Sequence, residues 1–184
     1  MRVIAGEAKR LRLITPKGME TRPTSDKTKE TLFNVLAPFI YSDSRFLDLF
    51  SGSGAIGIEA LSRGAAEAVF VEKNKEAVHC ITENLRTCHL QDRGRIMKMD
   101  VLSALSMLAG KGNFDLVFMD PPYKEGQEKD VLMALADSGL LAEEGLVILE
   151  CANETPLDFL KEAGFTIVKE KRYKNNRHVF LQAN

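Results

Sequence analysis

Asp48-Leu49-Phe50-Ser51-Gly52-Ser53-Gly54-Ala55-Ile56-Gly57 ends one apolar run and opens another. The run before it, Arg45-Phe46-Leu47-Asp48-Leu49-Phe50, is short and apolar and predicts a buried strand that stops at Ser51-Gly52. Ala55 to Arg63 predicts a helix closed by Gly64. Strand, glycine turn and helix in that order make the first unit of an alternating α/β chain. Gly52, Gly54 and Gly57 stand at GxGxxG spacing. Glycines there let the backbone turn tightly and approach a ligand closely.

The same alternation continues outward. Strands are expected at 68–71, 95–99, 114–119 and 145–150, and helices at 75–88, 102–108, 129–136 and 156–162. Gly164 is expected to cap the last of these helices. Two further strands, 165–173 and 178–182, flank the turn Lys174-Asn175-Asn176-Arg177. Seven strands with this spacing imply an α/β doubly wound, mostly parallel sheet with an antiparallel C-terminal hairpin. Upstream the pattern differs. Val3-Ile4 and Leu11-Arg12-Leu13-Ile14 predict a small hairpin or paired strands. Residues 25–40 predict a helix with Thr24 or Ser25 as N-cap and Leu32, Phe33, Leu36 and Phe39 inward. Residues 1–40 are therefore expected to form an extension and 41–184 the main domain.

The 184 residues suit a single domain with a small appendage, and 45% hydrophobic content provides a core. No run approaches the roughly 20 apolar residues of a membrane span, and the N-terminus turns polar too early for a secretion signal. Cys80, Cys88 and Cys151 are an odd set without framework spacing, which fits a reducing cytoplasm. His79, Cys80, Cys88 and His89 lack paired zinc-ligand spacing, so no metal is expected.

The formal charge of -1 conceals a division. Residues 1–36 carry +4, residues 37–160 carry -9 and residues 161–184 carry +4. Chance drift in short solvated segments is one reading; a polyanion-binding face built from both ends is the other.

Ligands of such sheets bind beyond the carboxyl ends of the strands. Asp48, Glu72, Asp100 and Asp120 stand at four successive strand ends. Glu72 lies at a distance from the glycine loop that suits a ribose hydroxyl. A nicotinamide dehydrogenase, an S-adenosylmethionine (AdoMet) methyltransferase and a purely structural turn all accommodate the loop. Asp48 just before it suits a cationic amino group and repels a pyrophosphate. Asp120-Pro121-Pro122-Tyr123 is more specific. Two prolines fix an extended backbone and remove two donors, leaving carbonyls as acceptors beside an acid and an aromatic ring. That set fits a planar base carrying an exocyclic amine, although Tyr123 can also be read as core packing.

Asp48 to Ala60 resembles motif I of class I AdoMet-dependent methyltransferases, and Asp120-Pro121-Pro122-Tyr123 resembles motif IV of those that methylate exocyclic amines. Residues 22–34, from Arg22-Pro23-Thr24-Ser25 to Phe33-Asn34, resemble the bacterial RsmD-type family, which methylates guanine N2 in 16S ribosomal RNA. The resemblance covers essentially the whole chain and implies a Rossmann-like fold. It implies that Glu72 holds the AdoMet ribose, with Lys73 beside it. It places Asp100 and Val101 at the adenine, and Asp48, Gly52, Ser53 and Gly54 along the methionine part. Asp120, Pro121, Pro122 and Tyr123 are left for the amine and its base. S-adenosylhomocysteine would be the product. The expected partner is 16S rRNA, within a small subunit or its assembly intermediate, bound by a monomer through Arg10, Arg12, Arg22, Lys171, Arg172 and Lys174. A DNA adenine-N6 methyltransferase, a dehydrogenase and a non-catalytic RNA-binding module remain as alternatives. The first usually needs a recognition domain for which this length leaves no room.

Overall fold

A computed structural model of the chain describes residues 1–17, 25–122 and 126–184. Strands β1 (Arg45–Leu49), β2 (Glu67–Val71), β3 (Gly94–Met97), β4 (Phe114–Met119), β5 (Leu141–Ala152), β6 (Phe165–Arg172) and β7 (Asn176–Ala183) form one sheet in the order β3-β2-β1-β4-β5-β7-β6. β1 to β5 run parallel, and β7 is antiparallel to both neighbours. Helices α1 (Asp26–Leu36), α2 (Ala55–Ser62), α3 (Lys75–Thr87), α4 (Val101–Leu108) and α5 (Glu128–Ser138) accompany it. The strand order reverses between β1 and β4, which is where an open α/β sheet leaves a crevice for ligand.

Two apolar layers sandwich the sheet. One joins Phe46, Phe70, Phe118, Ile148 and Phe180 to α1, α2 and α3. The other joins Leu47, Val69, Val117, Val147 and Leu181 to α4 and α5. Alternate residues of β1, β2, β4, β5 and β7 feed opposite layers, so an apolar run buried on both faces is what these central strands require, while β6 at the edge is mostly exposed. The N-terminal segment shares the first layer through Val3, Ala8 and Leu13.

That attachment has a charged clasp. Glu59 of α2 is fully buried and accepts from the Ile4 and Ala5 amides at 2.9 and 3.0 Å. Its carboxylate also meets Lys29 Nζ at 3.1 Å and Arg63 Nε at 2.8 Å. Lys29 is likewise fully buried and donates to the Arg2 carbonyl. Burial is tolerable because each charge is paired and hydrogen-bonded.

Several sequence expectations are corrected. The N-terminal segments do pair, but as one antiparallel bridge, Arg2 to Arg12, with Val3 bonded to both Leu11 and Arg10, and Leu13 bonded to Met1, rather than as full strands. The third strand stops at Met97, where the Met99 amide folds back onto the Met97 carbonyl. The expected helix at 156–162 is a single 3-10 turn, Asp158–Leu160. The first helix ends at Leu36, and Ala37–Phe39 tightens into a 3-10 turn with Phe39 only partly buried. Asn176 and Arg177 belong to β7 rather than to the turn. Ser25 is the N-cap, accepting from the Thr28 amide; Thr24 lies outside the described residues.

Candidate functional site

The carboxyl ends of β1, β2, β4 and β5 form one rim. On its β1 side, Phe50 takes a left-handed φ of 61°, uncommon for a side chain of its size and a mark of a loop held by its surroundings. Gly52 and Gly54 follow at 54° and 77°. A Cβ on Gly52 would meet nothing within 4 Å, so the loop presents open backbone. Gly57 differs: a Cβ there would fall 2.4 Å from the Phe70 ring and 3.1 Å from Asp48 Oδ2, so glycine is required by close packing of helix on strand.

Each acid on this side grips backbone. Asp48 is 1% exposed and accepts from the Gly57 amide at 3.0 Å, capping α2 from beneath the loop. Burial pushes its carboxyl up to about 7, the Gly57 amide opposes, and nearby Glu72 adds to the rise. Glu72 takes the Gly52 amide on Oε2 at 2.9 Å and the Asn74 amide on Oε1 at 2.8 Å, tying loop to strand end. Lys73 beside it is exposed. The Ser53 carbonyl accepts from Asn84 Nδ2 at 2.9 Å, and Asn84 also holds both backbone groups of Ile14. The Lys17 amide donates to Glu76, so residues 14–17 run along α3 to this rim. Asp100 is exposed and N-caps α4, held below the usual carboxylate range by the hydroxyl and amide of Ser103; Val101 behind it is buried.

The β4 side is built differently. Asp120 follows β4 directly and is partly buried, with Pro121 buried and Pro122 exposed. None of the described residues donates a hydrogen bond to its carboxyl. Burial raises that carboxyl well above the ordinary range, and Glu150 and then Asp48 raise it further. Because Met119 pairs with Leu149, Asp120 and Glu150 are one step further along adjacent strands and face the same side of the sheet. Glu150, 6% exposed, is held by His178 Nε2 at 2.9 Å and by Asn176 Nδ2. His178 is fully buried, with Nδ1 3.3 Å from the Tyr173 hydroxyl and its ring edge-on to Phe118 and Tyr173. Tyr123 lies outside the described residues, as does Arg22.

Sequence reasoning missed Glu150, His178, Asn176, Asn74 and Asn84. Glu150 had a signal: it is a fifth acid, closing the strand expected at 145–150, although β5 runs on to Ala152. The partners of Glu150 could not be read in advance, because they depend on β7 pairing antiparallel beside β5.

Of the cationic residues, Arg10, Arg12, Lys171, Arg172 and Lys174 are exposed. Arg172 is bonded to Glu170. Lys29 and Arg177 count in the basic ends, yet both are buried. The two ends approach the rim from opposite flanks. Residues 14–17 arrive over α3, while β6 is the far edge strand, five spacings or about 24 Å from β2.

A parallel sheet reversing at β1/β4, a glycine loop braced by two acids and an acid-Pro-Pro turn opposite it define a class I methyltransferase architecture. The chain belongs to the family described as Conserved hypothetical protein 95, whose model matches residues 1–182. It is 38% identical over 172 residues to ribosomal RNA small subunit methyltransferase D of Escherichia coli, covering 93% of this chain and 84% of that one. It is 33% identical over 174 residues to the protein of that name from Haemophilus influenzae, covering 93% and 88%. A solved hypothetical protein of Thermus thermophilus superposes with a TM-score of 0.83 at 31% identity, covering 98% of each chain.

Proposed function

We propose that the protein transfers a methyl group from AdoMet to the exocyclic N2 amine of a guanine in 16S ribosomal RNA, naked or within a small subunit or its assembly intermediate. The observation that carries the reading is the pairing of the open glycine loop with Asp120-Pro121-Pro122 across the strand-order reversal. The names of the relatives supply the RNA class. The loop fits AdoMet: Gly52 leaves backbone open, and Glu72 supplies negative charge beside it. In this reading Glu72 and Lys73 lie at the ribose, Asp100 and Val101 at the adenine, and Gly52, Ser53 and Gly54 along the methionine part. Asp48 orders the loop from below.

AdoMet supplies an electrophilic methyl on a sulfonium. A guanine N2 lone pair is delocalised into the ring and is a poor nucleophile. Asp120 and the Pro121 carbonyl accept its two hydrogens, turning the lone pair toward the methyl, while Pro122 keeps the turn rigid. Alignment is the main lever. The nitrogen bonds to the methyl carbon as that carbon's bond to sulfur breaks, with the electron pair left on sulfur. The surplus proton passes from nitrogen to Asp120. Tyr123 stacks on the base, offsetting part of the few kcal/mol spent on unstacking it.

Residues 1–40 act as an RNA-facing extension and 41–184 as the catalytic domain of a monomer working in the cytoplasm. Arg10, Arg12, Arg22, Lys171, Arg172 and Lys174 contact phosphates, which positions RNA without reading its sequence. The test is transfer of labelled methyl to naked 16S RNA, small subunits and duplex DNA in parallel, with calorimetry of AdoMet against NAD. Label in RNA-containing substrates alone, with AdoMet binding, supports the reading. Label in DNA, or NAD binding alone, rejects it.

A further inference from the structure

We propose that Glu150, clamped by His178 and Asn176, is a positioning residue for methyl transfer: its fixed negative charge beside Asp120 makes Asp120 the group that takes the amine proton. This rests on the role given to Asp120 above.

The geometry supports this in three ways. First, the neighbours on the buried face are fixed by strand register. Asp120 and Glu150 extend the pairing of Met119 with Leu149, and Glu150 pairs with His178. Second, Glu150 has its own donors. His178 Nε2 lies 2.9 Å from Oε2, where an ionised Glu150 can only accept, and Asn176 donates to Oε1. The other ring nitrogen, Nδ1, lies 3.3 Å from the Tyr173 hydroxyl. The ring is fully buried and wedged edge-on between Phe118 and Tyr173, so Glu150 has one orientation. Third, no described residue donates to Asp120, so the charge of Glu150 is not relayed to it through a shared donor.

A carboxyl beside a fixed negative charge holds its proton to higher pH, and among the described residues none donates a hydrogen bond to Asp120 to oppose this. A lone exposed aspartate would be a feeble acceptor for an amine proton; one paired with Glu150 is a better one. Among the described residues, the charged and titratable groups facing Asp120 are Glu150 from β5 and Asp48 from β1, with Glu72 beyond Asp48. Tyr173 and His178 face Glu150 from the other side. Arg177, next to His178, turns away to Thr155 and Glu170.

The first experiment is the pH profile of single-turnover methyl transfer to RNA by wild type, Glu150→Gln and Glu150→Asp. Activity needs ionised Asp120, so it falls as pH drops through the Asp120 transition. Removing the neighbouring charge moves that acid limb down by about one pH unit or more in Glu150→Gln. Glu150→Asp keeps the charge and leaves the limb within a few tenths of wild type. AdoMet affinity changes less than about twofold in both. A purely structural role predicts the reverse ranking, since Gln preserves shape and Asp does not; that ranking overturns the proposal, as does an unmoved limb in Glu150→Gln.

The second experiment needs no variant. In wild-type protein labelled with carbon-13 at side-chain carboxyls, NMR titration is expected to show the Glu150 signal shifting as Asp120 takes up its proton. A Glu150 signal that does not move through that step overturns the proposal. This readout does not require activity, so it separates the coupling from the reading of Asp120 as proton acceptor, which an active Asp120→Asn enzyme would defeat by itself.

Discussion

The two halves of the rim use carboxylates in opposite ways. On the β1–β3 side every acid is spent on backbone: Asp48 on Gly57, Glu72 on Gly52 and Asn74, Asp100 on Ser103. On the β4–β7 side Asp120 has no such donor among the described residues, and Glu150 presses a second charge toward it. The first arrangement freezes a loop into a fixed cradle. In the proposed reading the second holds a proton acceptor under electrostatic tension, as sites that move protons do. On that reading one sheet separates holding a cofactor from acting on a substrate.

The sharpest way to break this contrast is Asp120→Asn. Methyl transfer should fall about a thousandfold, within the range of removing a positioned proton acceptor, while calorimetry finds AdoMet affinity within about twofold. Joint loss of both would mean that the halves are not separate. Next is the clasp that fastens the N-terminal segment to α2. Lys29→Ala leaves Glu59 buried beside only one cation and should cost about 3–5 kcal/mol in denaturant unfolding. Glu72→Ala should act on the cradle alone. Losing two anchored amides should weaken AdoMet binding about tenfold to a hundredfold, with the pH profile of transfer unmoved.

Asp48 adds a pH signature. Its folded carboxyl titrates near 7, above its unfolded value, so the fold binds the extra proton. Stability from neutral Asp48 is full below about pH 4 and is lost as pH rises toward 7, by at most about 1.4 kcal/mol per pH unit. Asp48→Asn should flatten that stretch in thermal unfolding from pH 4 to 7. The smallest effect is expected at the far edge. Reversing Lys171, Arg172 and Lys174 together should lower the salt slope of RNA binding by about 0.7 for each phosphate no longer neutralised. An unchanged slope would leave the N-terminal flank alone on the RNA.

The halves also differed in how far they could be read from residues alone. The β1–β3 side was legible because local signals carry it: an apolar run, glycines at fixed spacing, an acid after each strand. Asp120-Pro121-Pro122 was legible for the same reason. His178 and Asn176 were not, because they reach Glu150 only through an antiparallel pairing between segments 26 and 28 residues apart. Basic residues misled in one respect. Lys29 looks in sequence like any solvated lysine of a charged helix, yet it is fully buried because Glu59, thirty positions away, neutralises it. The 3-10 turn at Asp158–Leu160 replaces an expected helix, since Pro156 and Gly164 bracket too few residues for sustained i to i-4 bonding.

The most direct measurement is nucleoside analysis by mass spectrometry of RNA from small subunits that lack the modification, after incubation with the protein and AdoMet. The account predicts one new N2-methylguanosine per 16S RNA, formed about a thousandfold more slowly with Asp120→Asn. Methyl found on adenine N6, on protein, or on guanine N2 at the wild-type rate with the Asp120→Asn variant would contradict it.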